Sequence, residues 1–479
     1  MRRPGRMGGG IRSAAAAFHV VLSAVAVVLI FTQYDSLGSA GLTWVCRVVT
    51  AGALINLAVT VFVAGGPWAP SSAYISVFTL FHFGLVAVLG VGLRSENNLG
   101  WWNQAWIFSV AARQAAALAL AGVLACTSGS FVVRLVAGAV STRRQAPLRQ
   151  ADDTLAKIGA VLLVVCTVSW FAIVTAAGGF LLLVSSYGTY LEKTAPYGAL
   201  LALVWMGNGL GFVLVTMARS SRWRVLGLVT YLVLSAVAVP LGLRGEILFP
   251  AVAAGVARAR VGRPLSTRFT LVASILVLLV IGAVRQLRQA GLAHTGVDVV
   301  ESASVTNALV ELGGSLQPVQ AVVTWRNRGD AYALGGTYWA PFDRALVYVI
   351  PGWRRVPAEE DERIMNILVV RRIGPIGFSP VAEAYRNFGP SGVVLVMFVV
   401  GLTIGMLDRL KGTPEWQFAG TVVLVPLLTN IRNSFVSLPP QIVLGGILVV
   451  LFLFLRPRRV AGRGRALAPQ VRAGASLHA

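Results

Sequence analysis

Apolar residues in this chain come in long blocks separated by short polar stretches. The blocks recur at about the 20 residues that a helix needs to cross the hydrocarbon layer. In order they fall near 14–31, 42–64, 73–93, 105–126, 155–176, 197–217, 225–243, 245–257, 269–284, 389–407, 416–431 and 440–455. The pattern predicts an all-α fold, a polytopic integral membrane helix bundle of about 12 transmembrane helices. One long polar stretch interrupts the rhythm. The chain divides into spans 1 to 9 (1–284), a large extracytoplasmic loop with short helices (285–388), spans 10 to 12 (389–455) and a basic tail (456–479).

Arginine placement orients these spans. With the N-terminus inside, the cytoplasmic segments hold Arg2, Arg3, Arg6 and Arg12, then Arg134, Arg143, Arg144, Arg149 and Lys157, then Arg219, Arg222 and Arg224. Further along they hold Arg258, Arg260, Arg263, Arg268, Arg409, Lys411 and the arginines of the tail, whereas the short outer loops keep only Arg94, Lys193, Arg244 and Arg432. Positive charge gathers on the cytoplasmic side of short loops, so both termini are expected in the cytoplasm of a multi-pass protein of the cell membrane. The long loop is nearly neutral, with eleven arginines against ten acids between 285 and 386, as an outside segment should be.

Composition changes the picture in one respect. With 56% hydrophobic and 12% charged residues, the chain lies far from soluble proteins, in which about 25% are charged. The net charge of +23 therefore reports topology and contact with anionic lipid, and a nucleic-acid partner is excluded. Cys46, Cys126 and Cys166 all lie in apolar blocks, where a thiol acts as a small hydrophobe. The arginine-rich start followed by 14–31 has the look of a signal peptide, with Gly38-Ser-Ala as a cleavage site. The block exceeds the 7 to 15 apolar residues of such signals and is kept as the first span.

Several charges sit deep by arithmetic. Thirteen residues from Gly245 to Ala257 rise only about 20 Å as a helix, which draws Arg244 and Glu246 below the outer surface. Arg285 and Arg288 follow a short ninth span, and Arg432 closes a short eleventh. Either each snorkels to the headgroups or together they form a shared anion site. Arg113 and Arg47 also lie within apolar blocks; a functional role competes with pairing of Arg113 to Glu246 or to backbone carbonyls. Pro240 and Gly242 end one helix and Pro250 suits the start of the next, so Glu246 stands near a helix N-terminus, which favours its ionised form.

In the loop, Val305, Leu309 and Leu312 follow helical spacing behind Ser302 and Ser304 as caps. Gln317 to Trp325 suggests a second short helix. The run Glu359-Glu-Asp-Glu362 reads as a solvated helix start rather than a cation site, and the lone outer His294 as incidental rather than a base. The most specific piece is Ser379-Pro380, an N-cap with a first-turn proline, which opens a short helix ended by Gly389-Pro390. Glu383, Arg386 and Asn387 share one face of it, either as an ordinary ion pair or as a face turned to the mouth where Arg244, Arg285 and Arg432 were placed.

These pieces together carry a resemblance. Arg244-Gly-Glu and the short span after it, Ala283-Val-Arg285, Gly335-Gly-Thr-Tyr, Ile350-Pro and Phe378-Ser-Pro-Val-Ala-Glu-Ala-Tyr-Arg-Asn-Phe-Gly389 resemble the Wzy-type O-antigen or oligosaccharide repeat-unit polymerases. The likeness covers roughly 240–405 and the overall span plan. It implies a lipid-carrier-dependent glycosyltransferase that moves a growing glycan from undecaprenyl pyrophosphate onto a lipid-linked repeat unit at the outer face of the membrane. A flippase and a chain-length regulator are the protein partners it implies, and neither metal nor cofactor is expected. The chemistry suits the residues: a carboxylate, Glu383 or Glu246, takes the acceptor proton, while Arg113, Arg244, Arg285, Arg288, Arg386, Asn387 and Arg432 meet the pyrophosphate. A flippase for lipid-linked glycans and a ligase of the O-antigen type are the alternatives. The first would spread polar breaks over both halves, and the second would use a loop histidine in a motif that His294 lacks.

Overall fold

In the computed structural model, residues 7–94, 105–138, 153–218, 221–261, 264–290, 304–347, 349–354, 356–410 and 414–455 are described. They form α-helices, with no β-strand among the described residues. In chain order the helices are α1 (Met7–Thr32), α2 (Leu42–Ala64), α3 (Pro70–Gly90), α4 (Val110–Gly138), α5 (Asp153–Gly178), α6 (Tyr187–Thr194), α7 (Gly198–Met217), α8 (Arg222–Ala238), α9 (Arg244–Arg260) and α10 (Thr267–Ala290). The interrupting stretch holds α11 (Val305–Gly313), α12 (Gln317–Asn327), α13 (Gly336–Leu346) and α14 (Met365–Ile373). The chain then ends with α15 (Pro380–Arg409), α16 (Pro414–Asn430) and α17 (Leu438–Leu455).

Each of the twelve apolar blocks carries a helix. Among the described residues seven stretches are long and apolar enough to cross a membrane: Gly9–Thr32, Leu42–Ala64, Pro70–Gly90, Val110–Ala137, Thr154–Gly178, Tyr187–Met217 and Pro380–Arg409. The other five blocks form shorter or more charged helices. In α8, α9 and α16 there are 17 residues, about 25 Å of rise against a hydrocarbon layer of about 30 Å. His294 and the tail 456–479 lie outside the described residues.

Burial sorts the helices into an inner and an outer set. On α1, Phe18, Val21, Leu22, Val25, Val28 and Leu29 face outward, as lipid-facing side chains would, whereas α3 and α4 are buried almost throughout. The crossing of α4 with α15 is close enough to need glycine. A Cβ on Gly401 would lie 1.9 Å from the carbonyl oxygen of Cys126, so no larger residue fits without the helices parting.

The interrupting stretch is not a polar cap resting on this bundle. Ser304 caps α11 by accepting from the N–H of Thr306 at 3.2 Å, and α11 then lays buried Ala308, Val310 and Leu312 against α3. The second helix, α12, buries Val319, Val322, Val323 and Trp325 between α4 and α15. The amphipathic spacing was legible, but the faces it buries meet protein rather than membrane. The acidic run also differs from a solvated helix start. It forms turns ahead of α14, and Asp361 is buried, accepting from Arg363 Nε at 2.9 Å and lying 3.5 Å from Arg344.

Candidate functional site

Ser379 opens α15, its Oγ accepting from the N–H of Val381 at 3.2 Å, with Pro380 in the first turn where no amide donor is missed. The same hydroxyl pairs with Nε2 of His82 on α3 at 2.8 Å, and Nδ1 of His82 meets the carbonyl of Phe78 at 3.3 Å. A carbonyl only accepts, so Nδ1 carries the proton and Nε2 receives the Ser379 hydroxyl. His82 is fully buried and stacked on Phe78 at 4.0 Å, so the start of α15 is pinned to the bundle core.

One turn further, Glu383 is 1% exposed. Its Oε2 accepts from the N–H of Phe435 at 2.6 Å, the Thr337 hydroxyl stands near the carboxyl group, and Oε1 completes no hydrogen bond within the protein. A second buried polar atom, the hydroxyl of Tyr338 on α13, also lacks a partner. Tyr338 meets the ring of Phe435 edge-on, with centroids 5.0 Å apart. Burial, with the charge of Glu383 added to it, pushes the Tyr338 phenol well above its ordinary range, so it stays protonated and can donate.

Both groups line one cavity of about 420 Å³. Its remaining walls are mainly apolar, with Leu395, Val399 and Val400 of α15, Val423 and Leu427 of α16 and Ile442 of α17, and carry two polar residues, Thr403 and Asn430. Two unpaired polar atoms on the wall of a largely apolar cavity form an arrangement that can receive a polar group carrying an apolar tail.

The other expected residues are dispersed. Asn387 faces inward with Glu383 and is fully satisfied: Nδ2 donates to Thr337 Oγ1 at 2.7 Å and to the carbonyl of Glu383 at 2.8 Å, and Oδ1 accepts from Gly335 N–H at 2.9 Å. It fixes the loop to α15. Arg386 does not pair with Glu383. It donates to the carbonyl of Ala331 at 2.5 Å and lies 3.8 Å from Asp330, among Arg326 and Arg372, which also reach Asp330. Arg244 forms a buried ion pair with Glu311 on α11, which takes it away from any mouth shared with Arg432. Arg432 accepts through its carbonyl from the N–H of Phe378 at 3.0 Å, with its side chain against Gly377.

Arg113 donates to the carbonyls of Gly38 and Phe108, and Arg47 to that of Gly90 at 3.1 Å, so both bind backbone. Arg285 and Arg288 fall in the last turns of α10, and their side chains lie outside the described residues. Glu246 lines a different cavity, on the far side of the hairpin formed by α16, α17 and the connecting residues 431–437, which bear Phe435. Reading the chain alone missed His82, Thr337, Tyr338 and Phe435. Thr337 and Tyr338 had a signal in Gly335-Gly-Thr-Tyr, whereas His82 and Phe435 join the site only in space.

A family model described as O-antigen polysaccharide polymerase Wzy matches residues 20–462, nearly the whole chain. Protein CapE of Staphylococcus aureus is 30% identical over 149 residues, which is 31% of this chain and 33% of that protein, so the chain spans about a third of the length of this relative. No solved structure matches.

Proposed function

We propose, because the chain belongs to the O-antigen polysaccharide polymerase Wzy family, that it lengthens a glycan at the outer face of the cell membrane, with both termini cytoplasmic. It moves the growing oligosaccharide from undecaprenyl pyrophosphate onto a lipid-linked repeat unit. The observation that carries this reading is the pair of unpartnered atoms, Glu383 Oε1 and the Tyr338 hydroxyl, at the head of an apolar groove. An isoprenoid tail lying in that groove, against Leu395, Val399 and Ile442, brings the sugar–pyrophosphate junction to the two polar groups.

Glu383 Oε1 takes the proton of the acceptor hydroxyl, whose oxygen forms the new bond to the anomeric carbon. The bond from that carbon to the pyrophosphate oxygen breaks, and the electron pair leaves with the phosphate. The Tyr338 O–H donates to the oxygen on which charge develops. Arg285, Arg288 and Arg432 are assigned as counter-charges for the pyrophosphate. Arg244, Arg113, Arg386 and Asn387 are assigned to positioning, through the bonds they make within the protein.

The test is Glu383→Gln in purified protein reconstituted with lipid-linked repeat units. It should keep the unfolding temperature and slow chain growth by roughly 10²–10⁴-fold, leaving single repeat units. Polymer of full length from this variant at the normal rate rules out the assignment. Repeat units stranded on the inner leaflet would instead identify a flippase.

A further inference from the structure

We propose that the protein holds a second ligand site, a saccharide pocket built around Glu246 and walled off from the Glu383 groove. The inference rests on the polymerase reading and assigns the non-reacting sugars of the substrate a place of their own. A cavity of about 330 Å³ lies between α6, α7, α9 and the hairpin leading into α17, within the range of small-molecule sites. Tyr187, Tyr190 and Trp205 form one wall, and Asn366, Asn433 and Gln441 stand on the other.

Glu246 is the one charged residue among the described residues lining this cavity, and it makes no hydrogen bond or ion pair with a described residue. Two residues earlier on α9, Arg244 is committed to Glu311 and does not compensate it. The surrounding polar groups are fixed in place. Tyr190 is held by the indole N–H of Trp170 at 3.0 Å, the Asn366 Oδ1 accepts from Ser434 N–H at 3.2 Å, and the Asn433 Nδ2 donates to the carbonyl of Thr429 at 3.0 Å.

This arrangement selects a class of ligand. A carboxyl group without a protein partner offers its oxygens to ligand hydroxyls, and no Lys or Arg among the described lining residues would hold pyrophosphate here. Aromatic faces take the C–H side of a sugar ring, and amides and carboxylate take its hydroxyls. The wall between the cavities is thin: Asn433 and Ser437 face the Glu246 side, and Phe435 between them donates its N–H to Glu383. The two cavities are therefore backed by one turn, with Asn433 and Ser437 on one side and the Phe435 N–H on the other.

The test uses the full chain in lipid nanodiscs, titrated with the repeat-unit oligosaccharide released from the host's lipid carrier by mild acid. Tryptophan emission is the readout, since Trp205 lines the pocket. A saturable change is expected, weakened by about tenfold or more in Glu246→Gln, as the loss of charged hydrogen bonds predicts, and unchanged in Glu383→Gln. Should Glu246→Gln lose its native unfolding temperature, Gln441→Ala on the rim carries the test, with weaker binding expected. No saturable change in the unaltered protein, undiminished binding in the altered pocket, or displacement by inorganic pyrophosphate overturns the proposal. Polymer formation by Glu383→Gln tests the polymerase reading separately, so the two failures are distinguishable.

Discussion

The backbone N–H of Phe435 meets Glu383 Oε2 at 2.6 Å, across 52 residues of chain, and leaves Oε1 as the oxygen without a protein partner. One oxygen is thus anchored and the other offered to the cavity. A carboxylate held in this way has a fixed direction, which is what a proton acceptor for a bound hydroxyl requires.

Tyr338 offers the cleanest separation of function from folding. Its hydroxyl makes no hydrogen bond within the protein, so Tyr338→Phe should leave the unfolding temperature in detergent unchanged or slightly raised. Chain growth should fall by roughly 10²-fold, as for loss of one donor to a developing charge. Normal growth in this variant would remove Tyr338 from the reaction.

Arg244 tests the anion-mouth expectation directly. Removing one member of a buried ion pair strands the other, so Arg244→Ala should cost about 3–5 kcal/mol of stability. Arg244→Met combined with Glu311→Leu should recover most of that loss and restore polymer. A stable double variant that makes no polymer would mean that Arg244 contacts substrate.

Gly401 sits where a side chain would strike the backbone of α4. Gly401→Val should prevent α15 from closing on α4. Little monodisperse protein should be recovered from detergent extracts, whereas Leu395→Val, on the exposed side of the same helix, should extract normally.

Asp361 gives a dependence on pH. Burial pushes its carboxyl up, but hydrogen bonds from Arg363 and the charges of Arg363 and Arg344 outweigh it and hold the group below the ordinary carboxylate range. A depressed carboxyl stabilises the fold above its unfolded value near about 4 and loses that contribution as pH falls through the folded value. Asp361→Asn should therefore unfold at a lower temperature than the parent at pH 7, with the difference closing below about pH 4. Thermal scans at the two pH values check it.

The helices were legible because spans are set by length and apolarity, which a chain displays in one dimension. The start of α15 was legible too, since Ser379, Pro380 and Gly389 are local signals. Arg244 turns to Glu311 rather than to a shared mouth, because depth along a helix says nothing about which side a residue takes. Arg244 and Glu246 lie two positions apart yet serve different neighbours, Glu311 and a cavity. His82 and Ser379 stand 297 positions apart, and no spacing rule joins them.

The break in α15 has a mechanical consequence. Gly389 takes φ 69°, open to glycine, and Pro390 has no N–H for the carbonyl of Arg386, so Ala333 and Leu334 donate instead to Arg386 and Asn387 at 2.9 and 3.2 Å. The turn that carries Glu383 is consequently moored to residues 333–334, alongside Tyr338. The rest of α15 is held separately, by its close crossing with α4 at Gly401, so the bend lets one helix serve two anchors and keeps the carboxylate and the phenol on the same mooring.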